Sequence, residues 1–160
     1  HDIRFCEGQA VIPMKHFGLV GQAGVVALAD VLQFSPLWQP AEFGQEIILR
    51  DEFEPMEPWA ALPHCRATIF ELMGILQATR LGPVVIERIE AGKAMVIETR
   101  EPTIYHMISI KSLNGCQVKI EDETINPAGG EIWQWKVGKA EIINGSPDDA
   151  MYLIMEIVTR

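Results

Sequence analysis

Apolar and polar positions follow two different rhythms along this chain, and the change falls near residue 82. Within 20–33, Val25, Leu28, Ala29 and Leu32 recur at helical spacing and share one face. Pro36 and Pro40 then break the chain, and residues 45–50 read as a short strand. A second helix is predicted over 65–80, where Ile69, Leu72, Met73 and Leu76 form a stripe and Gly82-Pro83 ends it. Phe70 and Met73 read as core residues of that helix. From Pro83 onward the apolar runs shorten: 84–89, 94–98, 104–110, 117–120, 131–135, 141–143 and 151–158 are strand-like. Turn signals separate them, among them Ala91-Gly92, Glu101-Pro102, Asn114-Gly115, Gly129-Gly130 and Asn144-Gly145.

Short strands at near-regular spacing predict a sandwich or barrel rather than a parallel sheet. Helices first and strands afterwards give a single domain, mainly β with flanking helices (α+β), in which helices lie against a β barrel. The predicted organisation is a helical and loop part over 1–82, packed on a barrel core over 83–160. Between them, 51–63 is an acidic, Pro-rich connection with Asp51, Glu52, Glu54, Glu57, Pro55, Pro58 and Pro63 around Trp59. Such a stretch reads either as a binding loop presenting Trp59 or as a solvated connector with Trp59 packed down as an anchor.

Composition narrows the function classes. With 160 residues, 48% of them hydrophobic, the chain can bury a core without staples. Its 22 acidic against 13 basic residues give a formal charge of −9, and no Lys/Arg cluster offers a face for a phosphate backbone. Nucleic acid is therefore not an expected partner, and an acidic surface that keeps the protein dispersed is. Cys6, Cys65 and Cys116 are odd in number and lack the spacing of a zinc or disulfide framework, so reduced thiols and a cytoplasmic setting are expected. No apolar run approaches the ~20 residues of a membrane span, so no membrane partner is expected. The opening His1-Asp2-Ile3-Arg4 lacks the shape of a signal peptide.

The strand region, about 82–158, resembles the aspartyl/asparaginyl β-hydroxylase family, a branch of the iron/2-oxoglutarate oxygenases. The residues that carry the resemblance are Val85-Ile86-Glu87-Arg88-Ile89-Glu90-Ala91-Gly92, then Tyr105-His106 on a strand, then Asn114-Gly115-Cys116. Gly130-Glu131-Ile132-Trp133 is similar to that family's Gly-Glu-x-Trp signature, and Asn144 and the strand from Met151 close the match. The resemblance implies a double-stranded β-helix (cupin or jelly-roll) barrel. It also implies iron held by a His-x-Asp pair and a distal His.

Those ligands are missing. Counted from Ala91-Gly92, the His-x-Asp slots fall on Glu98 and Arg100, and the distal His slot, about four residues before Asn144, falls on Ala140. The positions of two Arg that would hold the cosubstrate carry Ala150 and Ile104, and neither can replace a bidentate guanidinium. His106 remains. The expectation is a degenerate, dioxygenase-like cupin domain with no cofactor, which binds a small molecule or a protein. Two alternatives stay open. One is an Fe(II)/2-oxoglutarate hydroxylase with an unorthodox metal site at Glu98, His106 and Glu141. The other is a metal-free isomerase or lyase using His106 and Tyr152.

The expected pocket lining is thus Glu98, Arg100, Ile104, His106, Ala140, Ala150 and Tyr152. Apolar replacements favour filling of the barrel mouth by Met95, Met107 and Met151, because voids are unfavourable and Met adapts to irregular gaps. Function would then fall on the outer surface and the 51–63 connection. An open cavity with His106 and Tyr152 as polar handles would instead mark a small-molecule site. Trp133 and Trp135 share a strand face with Glu131 and read as core. Asp148-Asp149 reads as a solvated turn.

Overall fold

The computed structural model describes residues 3–5, 14–98, 104–136 and 138–158. In chain order it contains β1 (Ile3–Phe5), β2 (Met14–Val20), α1 (Gln22–Gln33), β3 (Gln39–Ala41), β4 (Gly44–Arg50), α2 (Glu57–Ala61) and α3 (Pro63–Leu76). There follow β5 (Arg80–Ile89), β6 (Ala94–Glu98), β7 (Ile104–Lys111), β8 (Cys116–Ile120), β9 (Glu123–Ile125), β10 (Glu131–Trp135), β11 (Lys139–Asn144) and β12 (Ala150–Val158).

The strands form two antiparallel sheets. One has eight strands in the order β1-β2-β10-β7-β12-β5-β4-β3, and the other has four in the order β6-β11-β8-β9. From β5 to β12 the chain crosses back and forth between the sheets, which makes this part a double-stranded β-helix, the jelly-roll barrel of cupins. The 1–82 part is more than a helical flank, because β2 and β4 extend the larger sheet beyond the barrel strands β10 and β5.

Two cores result, one on each face of the larger sheet. Inside the barrel, Ile89, Met107, Val118, Ile120, Trp135, Ile142 and Tyr152 pack between the sheets. On the opposite face, Ile47, Leu49, Val84, Ile86, Ile108, Leu153 and Met155 meet the helices through Val25, Leu28, Leu32, Ile69 and Leu72. The apolar stripes read from the sequence are therefore the buried faces, but Phe70, read as core, is 57% exposed because it lies off the Ile69–Leu72 stripe of α3. Full burial of each such side chain contributes roughly 1.5–3 kcal/mol.

The second helix is shorter than its apolar stripe predicts. Gln77 adopts a left-handed conformation (φ 52°), and the amides of Gln77 and Ala78 donate to the carbonyls of Gly74 and Met73. This C-terminal wrap closes α3 at Leu76 and frees Arg80 to begin a strand. Gly82-Pro83, read as a stop, lies inside β5. The ladders to β12 and β4 both shift register beside Pro83, so the missing N–H falls where pairing is already irregular. Gly44 opens β4 at φ 148°, where a Cβ would stand 2.2 Å from the Arg88 carbonyl oxygen, so only glycine fits. Among the described residues no helix is long and apolar enough to cross a membrane.

Candidate functional site at the barrel mouth

Cross-strand neighbours share a face of a sheet, so pairing assigns each predicted site residue to a side of the wall. Ala140 lies opposite Ile97 and is fully buried in the barrel core. Ala150 and Tyr152 also face inward. These three face the barrel interior as expected, but they lie in its core rather than in the lining of the pocket at its mouth.

Glu98 does not. It lies opposite Lys139 on the outer face of the smaller sheet, and both are exposed. The inward residues of β6 are Met95 and Ile97, so a ligand pair sharing a face with Ala140 would need Ile97 and Thr99. Thr99 and Arg100 lie outside the described residues. Ile104 and His106 are also displaced. Ile104 pairs with Ile157 and His106 with Met155, and both partners belong to the helix-side core. It is Tyr105 that faces the barrel.

His106 is thus a buried structural residue. The Gln134 side-chain amide meets its Nε2 at 2.9 Å, and Phe17 packs edge-on to its ring at 5.4 Å. Burial pushes its pKa down to about 4, so the imidazole is neutral. It cannot cooperate with Tyr152, which stands on the other face of the same sheet and exchanges a hydrogen bond with the Ser112 hydroxyl at 2.9 Å. Burial raises the Tyr152 pKa and keeps the phenol protonated.

The alternative metal triad fails on the same ground. Glu141 pairs with Val96 and Lys119 on the outer face of the smaller sheet. Glu98 shares that face, while His106 lies beyond the larger sheet with the barrel core between them. Among the described residues no three of His, Cys, Asp or Glu converge as ligands. Ile97 and Ala140 offer only carbon at the mouth, so the residues described there do not fit an iron held by imidazole and carboxylate.

Trp59 packs down rather than out. The 51–63 connection folds into α2, and the Trp59 indole meets Phe70 edge-on at 5.8 Å while resting on the helix-side core. Trp133 and Trp135 are both in or against the barrel core, with Trp135 stacked on Tyr105 at 6.0 Å. Asp148 and Asp149 are each paired, with Lys111 and Arg88 at 2.9 Å.

The barrel mouth is not filled. A pocket of about 180 Å³ opens there, lined by Pro83, Val85, Glu87, Met95, Ile97, Tyr105, Ile154 and Glu156. Of the three methionines expected to close it, Met95 lines the wall, Met107 lies in the barrel core and Met151 faces the helices. Two of the lining residues are carboxylic acids that the sequence reading did not single out. Glu87 is only 5% exposed, and its Oε2 has no hydrogen-bond partner among the described residues. Burial, and then the Glu46 carboxylate opposite it on β4, push its pKa up to about 8. Glu156 is 4% exposed and packs against Gly82, where a Cβ would come within 3.0 Å of it.

No family model matches the chain, and no curated protein matches it. Among solved structures it is similar to an oxidoreductase of the 2OG-Fe(II) oxygenase family from Burkholderia pseudomallei. The two share 14% identity and a TM-score of 0.62 over 82% of this chain and 76% of the other. A prolyl-4-hydroxylase from Pseudomonas putida is also similar, with 13% identity and a TM-score of 0.59 over 89% of each chain. At such identities the likeness is one of fold. The chain therefore has the double-stranded β-helix fold of cupins and 2-oxoglutarate oxygenases.

Proposed function

We propose that this chain is a cupin-fold domain that binds a small molecule in its barrel mouth, without iron/2-oxoglutarate turnover. The observation that carries the proposal is Glu87, a buried carboxyl with an oxygen that has no partner among the described residues, in the wall of an open, mostly apolar pocket. An unsatisfied buried polar atom is unfavourable by roughly 1–3 kcal/mol, and a ligand donor would remove that penalty. A largely apolar concavity with a few convergent polar groups is the usual form of a ligand site. The absence of turnover is argued from Ile97 and Ala140, whose side chains cannot hold a metal.

Methyl-resolved NMR during a small-fragment screen tests this reading. Shifts should cluster on Val85, Met95, Ile97 and Ile154, and Ile97→Trp should abolish them. Fragments that perturb only the outer surface would contradict it. So would 2-oxoglutarate consumption by the iron-reconstituted protein above that of an Ala140→Trp variant.

A further inference from the structure

The wall of the mouth is acidic and aromatic, and among the described residues no cation lines it. Glu87 and Glu156 both line the pocket, and Glu46 faces Glu87 from the neighbouring strand. Tyr105 adds an aromatic face to the same wall. The remaining lining residues are Pro83, Val85, Met95, Ile97 and Ile154, all apolar.

Three kinds of small ligand can be weighed against this surface. An anion would be brought close to the Glu87 and Glu46 carboxyls, and no basic side chain lines the pocket among the described residues. A neutral apolar ligand would cover Glu87 and leave its Oε2 still unpartnered. An ammonium group would donate to that oxygen, form a charge-assisted bond and sit against the Tyr105 ring. The volume of about 180 Å³ equals that of roughly six water molecules in the liquid, which suits a short alkylamine.

Resting on the small-molecule reading above, we infer that the ligand of the barrel mouth is a small organic cation, a primary or secondary amine, held through Glu87. Among the described residues, the groups facing Glu87 are Glu46 from β4, Tyr152 from β12 and, further along the pocket, Glu156 and Tyr105. None of them supplies a competing positive charge. Because Glu87 is raised to about 8 in the free protein, cation binding must release its proton. Affinity therefore rises with pH from 6 towards 8 and levels off above it.

The test compares butylammonium, butanol and butyrate, which are similar in size and shape and differ in charge. NMR titrations follow the Val85, Ile97 and Ile154 methyls and the Glu87 side-chain carboxyl carbon. Butylammonium is expected to bind at least tenfold more tightly than butanol, butyrate not at all, and the Glu87 midpoint to fall on binding. Glu87→Gln should remove the cation preference and its pH dependence, while Glu98→Gln on the outer face leaves both intact. Should Glu87→Gln fold poorly, the Glu87 midpoint in the unaltered protein still decides. Equal binding of butanol and butylammonium, with no change in that midpoint, would overturn the cation inference and leave the pocket reading standing. Failure of all three probes to shift any pocket methyl would overturn both.

Discussion

Glu46 and Glu87 stand directly opposite one another across the β4–β5 pair, with their carboxyls on the face that continues into the barrel mouth. Both desolvation and this like-charge neighbour favour the protonated form of Glu87. Its folded pKa lies above its unfolded value, so the native state holds the extra proton between about 4.5 and 8. Its effect on stability is absent below pH 4.5, and stability falls as pH rises towards 8. Chemical denaturation across this range should show that decline. Glu87→Gln should flatten it, gaining roughly 2–4 kcal/mol at pH 8.5 relative to pH 4.5. A decline of equal size in the variant would assign the effect to other groups.

Ile97 and Ala140 face each other on the inner side of the smaller sheet. Directly opposed Cβ atoms lie about 4.5–5.5 Å apart, within reach of a shared metal if both carry imidazoles. The Ile97→His, Ala140→His double variant should gain thermal stability on addition of nickel or zinc, about 2.7 kcal/mol at a hundredfold excess over Kd. Glu98→His with Ala140→His should gain none, since the wall separates them. A metal response in that second variant would reverse the face assignment.

Replacement of His106 should act on stability alone. His106→Leu removes the partner of the buried Gln134 amide and is expected to destabilise by about 1–3 kcal/mol. Fragment shifts at Val85 and Ile154 should persist at unchanged affinity. Their loss in a folded His106→Leu protein would return the imidazole to the site.

Most strands after Pro83 were legible because turn residues punctuate them, whereas β1 and β2 were not read: Asn114-Gly115 and Asn144-Gly145 bound β8 and β11 and pack together, with the Gly145 amide on the Gly115 carbonyl. The face of each strand was not legible from motif counting. A slip of one residue turns every side chain to the other side, and counting from Ala91-Gly92 produced that slip in β6. In β7, both faces are buried, so Ile104 to Ile110 carries no alternation to betray its register. The better signal was charge. Glu98 is the one ionisable residue of β6 and belongs outside. Glu156 is the lone charge in a long apolar strand, and Glu87 with Arg88 must put one charge on each face of a central strand. Those isolated charges on doubly buried strands marked the pocket wall. The edge strands β3 and β9 escaped because Gln39-Pro40-Ala41 and Glu123-Thr124-Ile125 are too short for periodicity.

The measurement that bears most directly on the barrel-mouth site is a pH titration of the Glu87 side-chain carboxyl carbon in the free protein. The structure predicts a midpoint near 8, moving down in Glu46→Gln as the like charge is removed. A midpoint at the ordinary glutamate value near 4.5, unmoved by Glu46→Gln, would mean that Glu87 is solvated or paired, and the proposed site would lose its polar anchor.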